Sequence, residues 1–352
     1  MQALELATVP LDAARRTTLR LATRSPVLTR VLARRDSRIA CLATAQVMVL
    51  FALSVWAPVA LFFLGPVVFG VVHLAADVRY LALRRQPPRA LLAASVVLAL
   101  AITAARIGVG MHVLSARTGD RVDVLLGLVW VGVALGAGAG DRPRALLLAV
   151  APGFVFAAWL LVARAHAVNL ALVHVHNLVA VLAWLFLFRR RRRWAALPVA
   201  LAVGFSAVLL SGALLPWTFA HGGFSAFGVT STQLSAWLAP GARGDLGLAL
   251  TTSFVFLQGV HYAAWTSWIP QDALPAEGTP TFRMSIRALI KDFGRVALGC
   301  VALAAVAFAG LAVWNVRESI AWYMTIAKSH AWFELAFLAY FAVRQECRAV
   351  AR

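Results

Sequence analysis

Pro66-Val67-Val68-Phe69-Gly70-Val71-Val72-His73-Leu74-Ala75-Ala76-Asp77-Val78-Arg79-Tyr80-Leu81-Ala82-Leu83 is an apolar run with an imidazole and a carboxylate near its middle. In helix, roughly 20 apolar residues cross a hydrocarbon core of about 30 Å, so this stretch reads as a membrane-spanning helix that carries ionisable groups at depth. Such groups cost at least a few kcal/mol there, and they usually face the interior of a bundle and have a partner.

The rest of the chain repeats the pattern. Apolar segments at 39–64, 66–83, 90–114, 122–139, 145–164, 167–188, 194–215, 247–268, 295–316 and 319–343 predict an all-α, polytopic transmembrane helix bundle of about ten spans. Over 352 residues, 62% are hydrophobic and only 13% charged, which excludes an ordinary globular surface. A net charge of +19 would suggest nucleic acid in a soluble protein. Here the arginines fall in short runs between apolar stretches, so the expected partner is the lipid bilayer and no nucleic acid. The cysteines, Cys41, Cys300 and Cys347, lie far apart and form no CxxC pair, so neither a disulfide framework nor a thiolate metal site is indicated.

The basic connectors fix an orientation. The N-terminal arginines, the Arg84 to Arg89 turn, Asp141 to Arg144, Arg189 to Arg193, the loop with Arg283, Arg287, Lys291 and Arg295, and the tail after Arg344 all fall on one side, with weaker charges in the connectors opposite. The positive-inside rule then places both termini in the cytoplasm and the chain in the inner membrane. Residues 1–38 form a basic cytoplasmic segment suited to an anionic leaflet, 39–343 a single transmembrane domain, and 344–352 a cytoplasmic tail. The longest outer connector, 216–246, contains the apolar stretch Phe224 to Leu238, which suits a lid or an interfacial helix.

Of the fourteen acidic residues, Asp77 and Glu334 read as well inside spans, and each follows a histidine by four residues. His73 with Asp77, and His330 with Glu334, therefore share helix faces. Imidazole and carboxylate together suit iron, zinc or manganese, with the carboxylates as ligands or as partners that orient the imidazoles. His261 joins them as an inward residue at similar depth. His174 and His176, two residues apart, point to different faces, so one of them belongs to the same layer. His112, His166 and His221 lie near the outer periphery. Gln258, Trp265 and Trp332 are the expected lining of an apolar substrate cavity. The same histidines also fit a haem b electron-transfer site or, with the carboxylates, the proton relay of a transporter.

Gly70-Val71-Val72-His73-Leu74-Ala75-Ala76-Asp77 resembles the His-Gly-Ala-x-Asp motif of the Brp/Blh family of membrane-bound β-carotene 15,15′-dioxygenases, with Leu74 in place of the usual glycine. His261 among its aromatic neighbours and His330 in the last span are similar to later histidine segments of that family. Position 265 is Trp where the family usually has another histidine, and Val173-His174-Val175-His176 stands where a His-Phe-Gly element is expected. The resemblance implies a non-haem Fe(II) enzyme that uses dioxygen on an apolar polyene or isoprenoid such as a carotenoid. On it His73, His261, His330 and one of His174 or His176 hold the metal, while Asp77 and Glu334 orient imidazoles or complete the shell.

Overall fold

The computed structural model describes residues 8–140, 144–188, 192–273 and 281–350, and these are helical almost throughout. The basic connectors at 141–143 and 189–191 lie outside the described residues. Two short helices, α1 (Val9–Ala22) and α2 (Pro26–Ala33), precede α3 (Arg35–Trp56), α4 (Pro58–Leu83), α5 (Arg89–Gly110), α6 (Ala116–Ala139), α7 (Arg144–Ala163), α8 (Ala165–Phe188) and α9 (Ala196–Leu210). After α10 (Leu215–Ala220) and α11 (Ser231–Leu238) come α12 (Gly244–Asp272), α13 (Phe282–Phe293), α14 (Arg295–Ile326) and α15 (Lys328–Val350). Among the described residues eight segments are long and apolar enough to cross a membrane, the last of them, Arg295–Arg344, covering both α14 and most of α15.

Several boundaries differ from the sequence reading. The first span ends at Ala57 (φ −147°, ψ 59°) rather than near 64, because Pro58 cannot donate to the preceding turn and disfavours helix at the residue before it. Pro66, read as the start of a span, instead lies inside α4, where a π-helical turn over Pro66–Gly70 accommodates it. The last span starts at Lys328, not at 319. Asn315 breaks α14 (φ −149°, ψ 89°) and accepts from the Glu318 N–H at 3.2 Å, capping the turns that lead to Ala327.

Further π-helical turns occur at Val78–Leu83 in α4, Trp184–Phe188 in α8 and Ala264–Trp268 in α12. Each inserts a residue into the helical repeat and re-aims the side chains on either side, which is why such turns gather at functional sites. Here they flank the segments that carry His73, His176 and His261.

Helix α12 is the core of the bundle, packed on α3, α8, α9 and α11. Helix α15 packs mainly on α6, and α8 bridges the two groups. The α6–α15 seam is close because glycines line it: a Cβ at Gly138 would stand 2.8 Å from the Tyr340 carbonyl oxygen, and one at Gly127 would overlap the Trp332 indole. Gly138→Leu should therefore destabilise the protein by about 1–3 kcal/mol in a detergent unfolding titration.

The 216–246 connector forms a cap on the bundle. Ser225–Ala226 pairs with Val229–Thr230 in a two-residue hairpin whose turn residues, Phe227 and Gly228, both have positive φ, and α11 follows with a Thr230/Gln233 capping box. At the other end, Asp12 caps α13 by accepting from the Phe282 N–H at 2.8 Å. Asp292 ties α13 to α4 through Arg79 (2.7 Å) and Arg84 (2.8 Å). Burial alone would raise the Asp292 carboxyl, but its bonds to Arg84 and Arg79 hold it below the usual carboxylate range. This tether is present above about pH 4 and is lost as pH falls through the lowered value, so α13 amides should exchange faster only in acid.

Candidate metal centre

Four histidines converge from four helices: His73 from α4, His176 from α8, His261 from α12 and His330 from α15. Their rings form a closed circuit, with centroids 5.1 Å apart for His73 and His330, 5.2 Å for His330 and His176, 5.2 Å for His176 and His261, and 5.4 Å for His261 and His73. The diagonal from His261 to His330 is 6.0 Å. An imidazole bound through one nitrogen at about 2.1 Å has its centre about 3 Å from an ion, so four rings around one ion stand roughly 5 Å apart. The observed circuit has that spacing.

The direction of the lone pairs is set by the helices themselves. His73 Nδ1 donates to the Phe69 carbonyl at 3.1 Å, and His176 Nδ1 to the Val173 carbonyl at 3.0 Å. His330 Nδ1 donates to the Ala327 carbonyl. A carbonyl only accepts, so in all three rings Nδ1 carries the proton and Nε2 keeps the lone pair. Metal-binding histidines are commonly oriented this way.

Asp77 and Glu334 sit beside this set. His73, His261 and His330 have ligand atoms within 4.8 Å of one another, and so do Asp77, His330 and Glu334, which makes His330 common to both groups. Glu334 Oε1 accepts from Trp265 Nε1 at 2.7 Å and stands 3.3 Å from His261 Nε2. Both His261 nitrogens and the Nε2 atoms of His73 and His330 are buried without a hydrogen-bond partner. The Asp77 and Glu334 carboxyls, also buried, meet each other, so what stays unmet is chiefly the imidazole lone pairs of His73 and His330 and the second nitrogen of His261. The donor set thus fits a bound transition-metal ion. A cavity of about 40 Å³, room for an ion and a water, is lined by His73, His176, His330, Tyr262, Tyr323 and Lys328, with His261, Asp77 and Glu334 outside its lining.

No known protein family, curated protein or solved structure matches the chain. The centre is therefore read from its own chemistry.

Of the residues singled out by sequence, His73, Asp77, His176, His261, His330 and Glu334 come together. His174 does not: its Nε2 is 2.7 Å from the Leu238 carbonyl and its ring lies against Phe254, so it holds the cap helix α11. Gln258 lines the cage cavity and a second cavity beside it. Trp265 and Trp332 line neither. Trp265 is fully buried and serves Glu334, while Trp332 donates to Asp123 Oδ1 at 3.1 Å. Their indole N–H groups have buried carboxylates to meet, and that turns the rings away from the cavities.

Asp77 and Glu334 are also not the only carboxylates deep in the bundle. Asp123 is 0% exposed and accepts from Arg106 Nε at 3.1 Å. Arg106 also binds Asp120 at 3.0 Å, and Asp120 accepts from Asn169 at 3.0 Å and contacts the exposed His166 at 3.0 Å. Asp272 accepts from Trp184 Nε1 at 2.6 Å. The available signal for the first group was Arg106, a guanidinium within the apolar 90–114 segment. Tyr262, whose ring centroid lies 4.6 Å from that of His73, had no signal beyond its position next to His261.

Proposed function

We propose that this chain is a metal-dependent oxygenase of the inner membrane, with about ten spans and both termini cytoplasmic, acting with dioxygen on an apolar polyene or isoprenoid such as a carotenoid. The observation that carries the reading is the circuit of four imidazoles, three of them with Nε2 left as the lone pair, and the buried Asp77 and Glu334 carboxyls at its side. The partial likeness of Gly70 to Asp77 to the Brp/Blh motif supports the same chemistry, since His73 and Asp77 are the positions that match.

His73, His176, His261 and His330 would hold a non-haem iron, which when bound supplies the activation of dioxygen beside an alkene. The protein's own part is orientation and exclusion of water. Backbone carbonyls fix three of the imidazoles, and Trp265 fixes Glu334. Asp77 and Glu334 stand where a carboxylate can accept an imidazole N–H or complete the coordination shell. Tyr262 and Gln258 form the wall shared with the second, larger cavity, and so lie where an apolar chain would approach His73.

Expression in a carotenoid-accumulating bacterium, with pigment analysis and metal analysis of the purified protein, tests this reading. Loss of the parent pigment, oxygenated products, about one iron per chain and no Soret band are expected. Unchanged pigment together with a metal-free protein would sink it, and a strong Soret band would favour haem in its place.

A further inference from the structure

Beside the metal cage lies a second cavity of about 270 Å³, bounded by α3, α4 and α12. Two glycines bring its walls together: a Cβ at Gly259 would run into Leu50, and one at Gly65 would press on the Tyr262 ring at 3.3 Å. Val49 and Phe69 form its rim and are 56% and 42% exposed on the apolar outside of the bundle, so the cavity opens where lipid would be. Gln258 and Tyr262 close its inner end against the cage.

The lining is apolar except for a few groups, and two of these are amides on facing helices, Gln46 and Gln258. Gln46 Oε1 accepts from Trp268 Nε1 at 2.7 Å, which fixes the amide and leaves its NH2 group as a donor. Thr266 is already spent on the Tyr262 carbonyl, at 2.6 Å. The Gln258 amide meets the Tyr262 hydroxyl and keeps its remaining N–H and oxygen, so a hydrocarbon filling this space would leave those and the Gln46 NH2 unmet, a loss of about 1–3 kcal/mol per group. The volume is also below the roughly 300–1,000 Å³ typical of whole-ligand sites. What fits is one end of a long molecule whose remainder lies in the bilayer.

We propose that this cavity binds the oxygen-bearing end, hydroxyl or carbonyl, of a long apolar chain taken from the membrane, with Gln46 and Gln258 as its hydrogen-bond partners. The inference rests on the proposed function only for where the chain leads, past Tyr262 toward His73. The binding itself is independent of the metal.

The test uses the full chain in phosphatidylcholine nanodiscs and native mass spectrometry. Two probes are offered, the C20 isoprenoid alcohol geranylgeraniol and the matching hydrocarbon without the hydroxyl. The alcohol should bind about tenfold tighter, as one or two hydrogen bonds allow. Gln46→Leu and Gln258→Leu should each reduce that preference, and the double variant should abolish it while hydrocarbon binding stays unchanged. Val49→Trp, at an exposed rim position with little packing to lose, should block both probes. Equal affinities in the unmodified protein, a preference that survives the double variant, or full binding to Val49→Trp would each overturn the proposal. Repeating the comparison in His73→Ala protein separates the two readings. A preference kept there upholds the cavity whatever the metal does, and a preference absent from a protein that binds iron defeats the cavity alone.

Discussion

His330→Ala is expected to leave a folded protein that no longer retains metal through purification, an affinity loss of at least about 100-fold. The size follows from position. His330 alone belongs to both ligand groups, the one with His73 and His261 and the one with Asp77 and Glu334, so its removal opens both. Substitutions of residues that merely orient ligands typically cost 10–100-fold in metal affinity, and a direct ligand at the junction should cost more. The fold should survive because the imidazole's bond inside the chain is to Ala327, a carbonyl of its own helical turn. His174→Ala, on the same helix as His176 but bonded to Leu238, is the control and should keep its metal. Metal analysis beside a thermal unfolding curve distinguishes the outcomes. A His330→Ala protein with undiminished metal would mean that His330 is not a ligand, and an unmodified protein without metal would mean that the imidazoles are a hydrogen-bonded clamp.

Asp123→Ala should destabilise the protein by about 3–5 kcal/mol, the usual cost of removing one partner of a buried ion pair. Asp123 is 0% exposed, and its loss leaves the Trp332 N–H unpaired and Arg106 with only Asp120. Trp332 lies between His330 and Glu334 on α15, so the same change frees the helix that carries two members of the centre. Metal affinity should fall along with stability. Asp123→Asn keeps an acceptor for Trp332 and should cost about 1–3 kcal/mol. His166→Ala removes a side chain that is 75% exposed and should change stability by less than about 0.5 kcal/mol. Denaturant titration in detergent reads all three, and an Asp123→Ala midpoint equal to that of the unmodified protein would contradict the assignment.

The helical spans, and which of them carry the centre, were legible because burying charge in an apolar helix is costly enough to be rare. His73 with Asp77 and His330 with Glu334 stood out for that reason, and i,i+4 spacing placed each pair on one face. His174 and His176 could not be separated, since a two-residue step says that they diverge but not which way the helix is turned. Trp265 and Trp332 were misassigned because the carboxylates they serve lie on other helices, beyond the reach of local pattern. The break at Ala57 rather than at Pro66 was equally hidden. Two prolines eight residues apart each allow a boundary, and only the π-helical turn at Pro66–Gly70 decides that the second is absorbed. Close approach of α6 and α15 at Gly127 and Gly138 likewise depends on which helices are neighbours.

X-ray absorption at the iron edge of the purified, iron-loaded protein tests the four-imidazole centre most directly. The expected spectrum has one iron per chain with three to four imidazole nitrogens at about 2.1 Å, and one imidazole fewer in His176→Ala. An iron shell made only of oxygen, or a spectrum that His73→Ala and His176→Ala leave unchanged, would contradict it.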